Sequence, residues 1–148
     1  MRRKTLPITL ASFIAVAETA TAFAHSGATG IVKERMDRFV RSKDHLKSIK
    51  THLQSSDFDA ILPLAAEIKD WAAEMPDYFP EGSNQKPSAA AAEIWVNFDG
   101  FKQAAKVHYD AADRLISAAT SKDLDATIDA FSATAATCKS CHQTFRLD

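Results

Sequence analysis

Cys138-Lys139-Ser140-Cys141-His142 is the one segment of this chain whose residue types and spacing carry chemistry. On a helix, positions i, i+3 and i+4 share a face, so two thiols and an imidazole project together. Two thiols placed this way can each form a thioether with a haem vinyl group. The adjacent His142 imidazole can then reach the iron from one side of the ring, and C-x-x-C-H is the attachment string of c-type haem. Three other chemistries compete for the same residues. A thioredoxin-like redox pair wants a helix N-terminus after a strand, whereas this pair lies near the end of a chain without strand signals. A zinc site needs a fourth ligand and usually a second paired cluster, which the sequence does not show. A short-range disulfide would constrain little chain and leave His142 unexplained.

The elements that must position these residues are helical. Val32, Met36, Phe39, Leu46, Ile49 and Leu53 recur at spacings of 3, 4 and 7, with Lys33, Glu34, Arg38 and Lys47 on the other face. Phe58, Ile61, Ala65, Ile68, Ala72 and Met75 form a second stripe. Ser56 and Asp57 supply its cap, and Pro63 is expected to bend it or mark a late start. Pro76, Pro80, Gly82 and Pro87 then punctuate an irregular connection over 76–88. A third run starts near Ser88 and carries Ile94, Trp95, Phe98, Phe101, Ala105, Ala112, Leu115 and Ala119, with Gly100 marking a close backbone contact or bend. Thr120 to Asp123 reads as a turn. Leu124, Ile128, Phe131, Ala135, Cys138, His142 and Phe145 complete a fourth stripe. Four amphipathic helices without strands argue for an all-α fold, an antiparallel four-helix bundle with covalently attached haem. Small Ala residues on the inward stripes either leave room for something other than side chains or simply permit tight packing.

Composition narrows the function. The chain has 148 residues, 18 Lys+Arg against 19 Asp+Glu, and only 2 Cys. That is one domain, with no basic excess for nucleic acid and no disulfide-dense scaffold. Arg2, Arg3 and Lys4, the apolar stretch Leu6 to Ala17, and Ala22-Phe23-Ala24 have the order of a secretory signal peptide. The apolar stretch is short of the ~20 residues a membrane span needs. Residues 1–24 are therefore expected to be removed after Ala24, with Ala20-Thr21-Ala22 offering an alternative cut after Ala22. The later cut leaves 25–148, 124 residues with a net charge of −3 in place of −1. Neither nucleic-acid binding nor a membrane span is expected of this domain. A soluble periplasmic protein follows, in the compartment where c-type haem is attached.

For a second axial ligand the candidates are Met36, Met75, His45, His52, His108 and His25. Met36 lies on the inward stripe of the first helix, where it is either a ligand or a core filler. His45, His52 and His108 have charged or polar neighbours and read as solvated surface imidazoles. Met75 abuts Pro76 at a helix end and reads as packing.

These residues carry a resemblance. The chain after residue 24 resembles a class II cytochrome c, of the cytochrome c prime superfamily, and is most similar to the low-spin cytochrome c-556 type. The matching segments are Ala28-Thr29-Gly30-Ile31-Val32-Lys33-Glu34-Arg35-Met36-Asp37, Met75-Pro76-Asp77-Tyr78-Phe79-Pro80, Ile94-Trp95, and Cys138 through Arg146. The haem motif near the C-terminus is the most specific of them, and the short stretch between Phe79 and Ile94 is a departure. The resemblance implies one haem c per chain, bound through Cys138 and Cys141, with His142 as the proximal iron ligand and Met36 as the distal one. It places Arg146 at a haem propionate, against the reading of a solvated terminal Arg. It places Trp95 and Phe98 against the ring, against ordinary core burial.

The expected function is a periplasmic one-electron carrier with six-coordinate His/Met haem, passing electrons to redox partner proteins as a monomer or homodimer. The alternative is a five-coordinate, gas-binding protein with a vacant distal site, which takes NO or CO. No catalytic base, nucleophile or substrate pocket is evident, so no enzyme is expected.

Overall fold

The computed structural model describes residues 27–147. The expected signal peptide, both cleavage frames and His25 lie outside the described residues. Helix α1 runs Gly30–Gln54, α2 Phe58–Glu74, α3 Glu93–Val96, α4 Phe98–Thr120 and α5 Leu124–Phe145, with a 3-10 turn at Met75–Tyr78. The four long helices form the bundle, each packed on its sequence neighbour and α5 returning beside α1. Cross-helix pairs fix the directions. Arg38–Glu74 (2.7 Å) and His45–Glu67 (3.0 Å) run α1 against α2, and Lys69–Asp113 (3.1 Å) and Lys122–Asp59 (3.6 Å) run α2 against α4. Among the described residues no helix is long and apolar enough to cross a membrane.

Local chemistry explains the boundaries. The Asp57 side chain accepts from the Ala60 N–H at 3.2 Å and starts α2 at Phe58. Pro63 therefore marks no late start; α2 runs through it. Its side is exposed, so the carbonyl four residues back can bond water instead. The Asp123 side chain caps α5 through the Ala126 N–H at 3.0 Å. The expected single third helix is instead two. Asn97 interrupts it, accepting from the Gly100 N–H at 3.1 Å and restarting the helix as α4. A Cβ at Gly100 would stand 2.5 Å from the Asn97 amide nitrogen, so a larger residue would push the capping side chain aside.

Two apolar clusters stabilise the bundle. At the end of the short links, Ile49, Ile61, Ile68 and Leu115 are fully buried with Leu53, Ala65, Ala112 and Ala119. Each large side chain contributes about 1.5–3 kcal/mol through burial. At the other end Trp71, Met75, Phe79, Ile94, Phe101, Ala105 and Phe145 form a second cluster, in which Phe79–Phe101 and Phe101–Phe145 meet edge to face at 4.7 Å and 5.4 Å between centroids. The α5 stripe does not all turn inward as expected. Its buried row includes Thr127, Thr134 and Thr137, whose hydroxyls donate to carbonyls of their own chain three or four residues back. Ile128 is 40% exposed, while Ala135, Cys138 and His142 open onto a cavity.

Candidate functional site

That cavity, about 510 Å³, lies between α1 and α5. The volume is within the ~300–1,000 Å³ of small-molecule sites. One wall is Met36, Phe39, Val40 and Leu46 of α1; the opposite wall is Ala135, Cys138, Cys141 and His142 of α5. Ala104 and Ala135 leave space, so the small-residue stripe serves both purposes: Ala65, Ala112 and Ala119 are packed solid in the core.

Cys138, Cys141 and His142 share one face of α5, as their spacing requires, and both cysteines are free and half-buried. Burial pushes the Cys138 thiol up. Burial and the neighbouring Cys138 push Cys141 up to about 11. A thioredoxin-like nucleophile needs the opposite shift, so this pair is poorly suited to thiolate chemistry. Burial, and then the Arg146 charge, lowers the His142 pKa, which favours the neutral imidazole that binds metals. A cavity of this size, two protonated thiols one turn apart and a neutral imidazole beside them fit a covalently held haem.

Met36 lines the cavity, as does Arg146, whose side chain is exposed at the rim. Antiparallel contacts hold that rim: Ala91 N–H donates to Phe145 O at 3.1 Å and Leu147 N–H to Ala89 O at 2.8 Å. Trp95 and Phe98 do not line the cavity. Both pack behind it on the aromatic cluster, and the Trp95 indole N–H reaches the Phe79 and Pro80 carbonyls at 3.0 Å. Met75 is buried in that cluster and also touches the cavity. His52, 35% exposed, lies beside Asp57, whereas the His45 side chain beside Glu67 is only 16% exposed and is not the solvated imidazole expected.

His108 corrects the sequence reading: it is no surface imidazole but 8% exposed, at the cavity wall. The signal was its place in the α4 stripe, between Ala105 and Ala112 at spacings of 3 and 4. Its charged neighbour Lys106 hides that signal, because it points elsewhere on the helix. Arg35 was likewise unforeseen. It is 2% exposed and donates to Tyr78 O (3.1 Å), Ser83 Oγ (2.7 Å), Ser88 Oγ (2.8 Å) and the Ser83 carbonyl. It thus ties the 78–88 loop to the first helix beside the cavity.

Comparison with known proteins gives the family and the fold. The family model described as Cytochrome C' matches residues 30–146. A cytochrome c-556 from Agrobacterium fabrum is 38% identical over 124 residues, 81% of this chain and 83% of that protein. A cytochrome c' from Pararhodospirillum photometricum is 34% identical over 123 residues, 78% of this chain and 94% of that one. The solved cytochrome c' of Thermochromatium tepidum shares the fold at TM-score 0.73 and 23% identity, covering 80% of this chain and 95% of its own. A variant cytochrome c prime from Alcaligenes xylosoxidans, solved as a nitric oxide complex, has TM-score 0.71 and 26% identity, with coverage of 80% and 94%. A chain that matches along 30–146 and carries its two thiols beside such a cavity belongs to the cytochrome c' family, whose members hold haem c covalently.

Proposed function

We propose that this protein is a periplasmic one-electron carrier in which Cys138 and Cys141 would hold the haem and His142 and Met36 would ligate its iron. The observation that carries the reading is that all four side chains line one cavity, Met36 from α1 and the others from α5. When bound, haem supplies one-electron exchange between Fe(III) and Fe(II). The chain's own residues set the conditions for it. His142 offers a neutral ring nitrogen, and Met36 an uncharged thioether, a pair that raises the potential of a c-type haem. Phe39, Val40, Leu46 and Phe101 give the cavity an apolar wall. The aromatic cluster, which forms part of the cavity wall, and the second apolar cluster keep the ligand-bearing helices in place, so little must rearrange when charge changes. Lys43 and Arg146 on the cavity wall offer positive charge to a transient partner with an acidic face. Arg146 is also the cationic side chain for a propionate.

One observation favours the second reading, a gas-binding protein with an open distal site. The α1 side chain in ring contact with His142 is Phe39, at 6.5 Å between centroids. An apolar side chain there can cover the far face without ligating it, and the Alcaligenes relative is known as a nitric oxide complex. Replacing Met36 by Ala separates the two. On the carrier reading the reduced variant changes from low-spin to high-spin and binds carbon monoxide. An unchanged spectrum shows that Met36 is not the ligand.

A further inference from the structure

We propose that His108 is a positioning residue for electron transfer that lowers the reduction potential, by fixing the negative end of an imidazole dipole against the haem cavity. The inference rests on the haem reading of that cavity but not on Met36 as a ligand.

The tautomer follows from hydrogen-bond accounting. The Thr137 hydroxyl has one proton, and it donates it to the Thr134 carbonyl at 2.6 Å. The same oxygen lies 2.6 Å from His108 Nδ1 and can only accept there. Nδ1 therefore carries the hydrogen, and Nε2 carries the lone pair. Nε2 has no hydrogen-bond partner among the described residues, yet Trp71 Nε1 is the buried side-chain atom there that is both unpartnered and sealed from open space. His108 lines the cavity together with Cys138, Cys141 and His142, and we assign Nε2, its unpartnered and unsealed ring nitrogen, to that side. Burial pushes the imidazole pKa down to about 4, so the ring is neutral at physiological pH and acts as a dipole.

The dipole has a fixed sense. Its positive end, Nδ1–H, is anchored on α5 through Thr137, and its negative end faces the cavity. In a poorly polarisable interior such a preorganised dipole acts at close to full strength. The negative end stabilises the oxidised site, with its extra positive charge, over the reduced one. Charge-bearing and hydrogen-bonding groups around a haem are recognised levers on its potential. The flanking apolar residues of the same α4 row, Phe101, Ala105 and Ala112, offer no such effect.

The test is a redox titration of the matured holoprotein at pH 7 for the native chain, His108→Phe, Thr137→Val and Thr137→Ser. His108→Phe is expected to shift the Fe(III)/Fe(II) equilibrium several-fold toward Fe(II), where tenfold corresponds to ~59 mV for one electron. Thr137→Val removes the acceptor for Nδ1–H, frees the other tautomer, and is expected to raise the potential at least as far. Thr137→Ser retains the hydroxyl and holds the native value. A potential that is unchanged or lower in His108→Phe overturns the proposal. Nitrogen-15 NMR of the native holoprotein reads the tautomer without any substitution: Nδ1–H supports it, and Nε2–H overturns it. A failure of the Met36 assignment appears separately, as a high-spin spectrum, and leaves the His108 shift measurable.

Discussion

Phe39 on α1 and His142 on α5 face each other across the cavity, their ring centroids 6.5 Å apart and their planes at 67°. These residues are far apart in the chain, and only the antiparallel return of α5 beside α1 brings them together. Met36 lies three residues before Phe39 on the same wall. Two side chains of different chemistry thus flank the position opposite the imidazole, and on the proposed haem reading the one that covers it would decide whether the iron is closed or open to ligands.

If Met36 ligates and Phe39 only shields, their removal has separable effects. Met36→Ala allows carbon monoxide to bind the reduced protein, slowly while Phe39 remains. Met36→Ala with Phe39→Ala is expected to bind about tenfold faster, a barrier change of ~1.4 kcal/mol. Stopped-flow mixing with carbon monoxide checks this, and equal rates in the two variants would show that Phe39 does not obstruct the site.

Covalent attachment is predicted to depend on the thiols of α5 and nothing else. The native protein keeps its haem through extraction with acidified organic solvent. Cys138→Ser or Cys141→Ser retains it through the remaining thioether, and the double variant releases it. Retention by the double variant would show another point of attachment.

Arg35 is buried without a carboxylate among its hydrogen-bond partners, and burial lowers its pKa from the ordinary guanidinium value. Its guanidinium also stands 4.3 Å over the Phe79 ring. Arg35→Met leaves loop carbonyls and serine hydroxyls without a donor and is expected to cost about 3 kcal/mol. Arg35→Lys should recover only part of that, since a single ammonium cannot reach the same four acceptors. Urea unfolding midpoints at unchanged m-value measure both losses.

Burial holds the His108 pKa at about 4, below the ordinary 6.5. Between those values the unfolded chain binds more protons than the folded one, so stability rises with pH. The contribution is complete above pH 6.5 and is lost as pH falls toward 4, by about 3 kcal/mol in all. Unfolding at stepped pH is expected to show this slope in the native holoprotein and a shallower one in His108→Phe. Identical slopes would mean that His108 does not stay neutral on folding.

Much of this was legible in the sequence for physical reasons. Cys138, Cys141 and His142 are a local motif whose geometry needs only one helix, and the Asp57 and Asp123 caps are equally local. The break at Asn97 was hidden because the apolar spacing continues from Ile94 and Trp95 into Phe98 and Phe101 on both sides of it. Arg35 was hidden because its partners lie 43 to 53 residues away in a loop. His108 was hidden because polar neighbours in sequence are not neighbours in space on a helix. Threonines buried by bonding to their own helix give no apolar signal either, so Thr137, the anchor of His108, could not be found before the fold.

A closed His142/Met36 site stands or falls on the absorption spectrum of the reduced, matured native protein before and after adding carbon monoxide. A low-spin spectrum that does not change on mixing is the predicted result. A high-spin spectrum with rapid carbon monoxide binding would contradict it and assign the protein to the open, gas-binding branch.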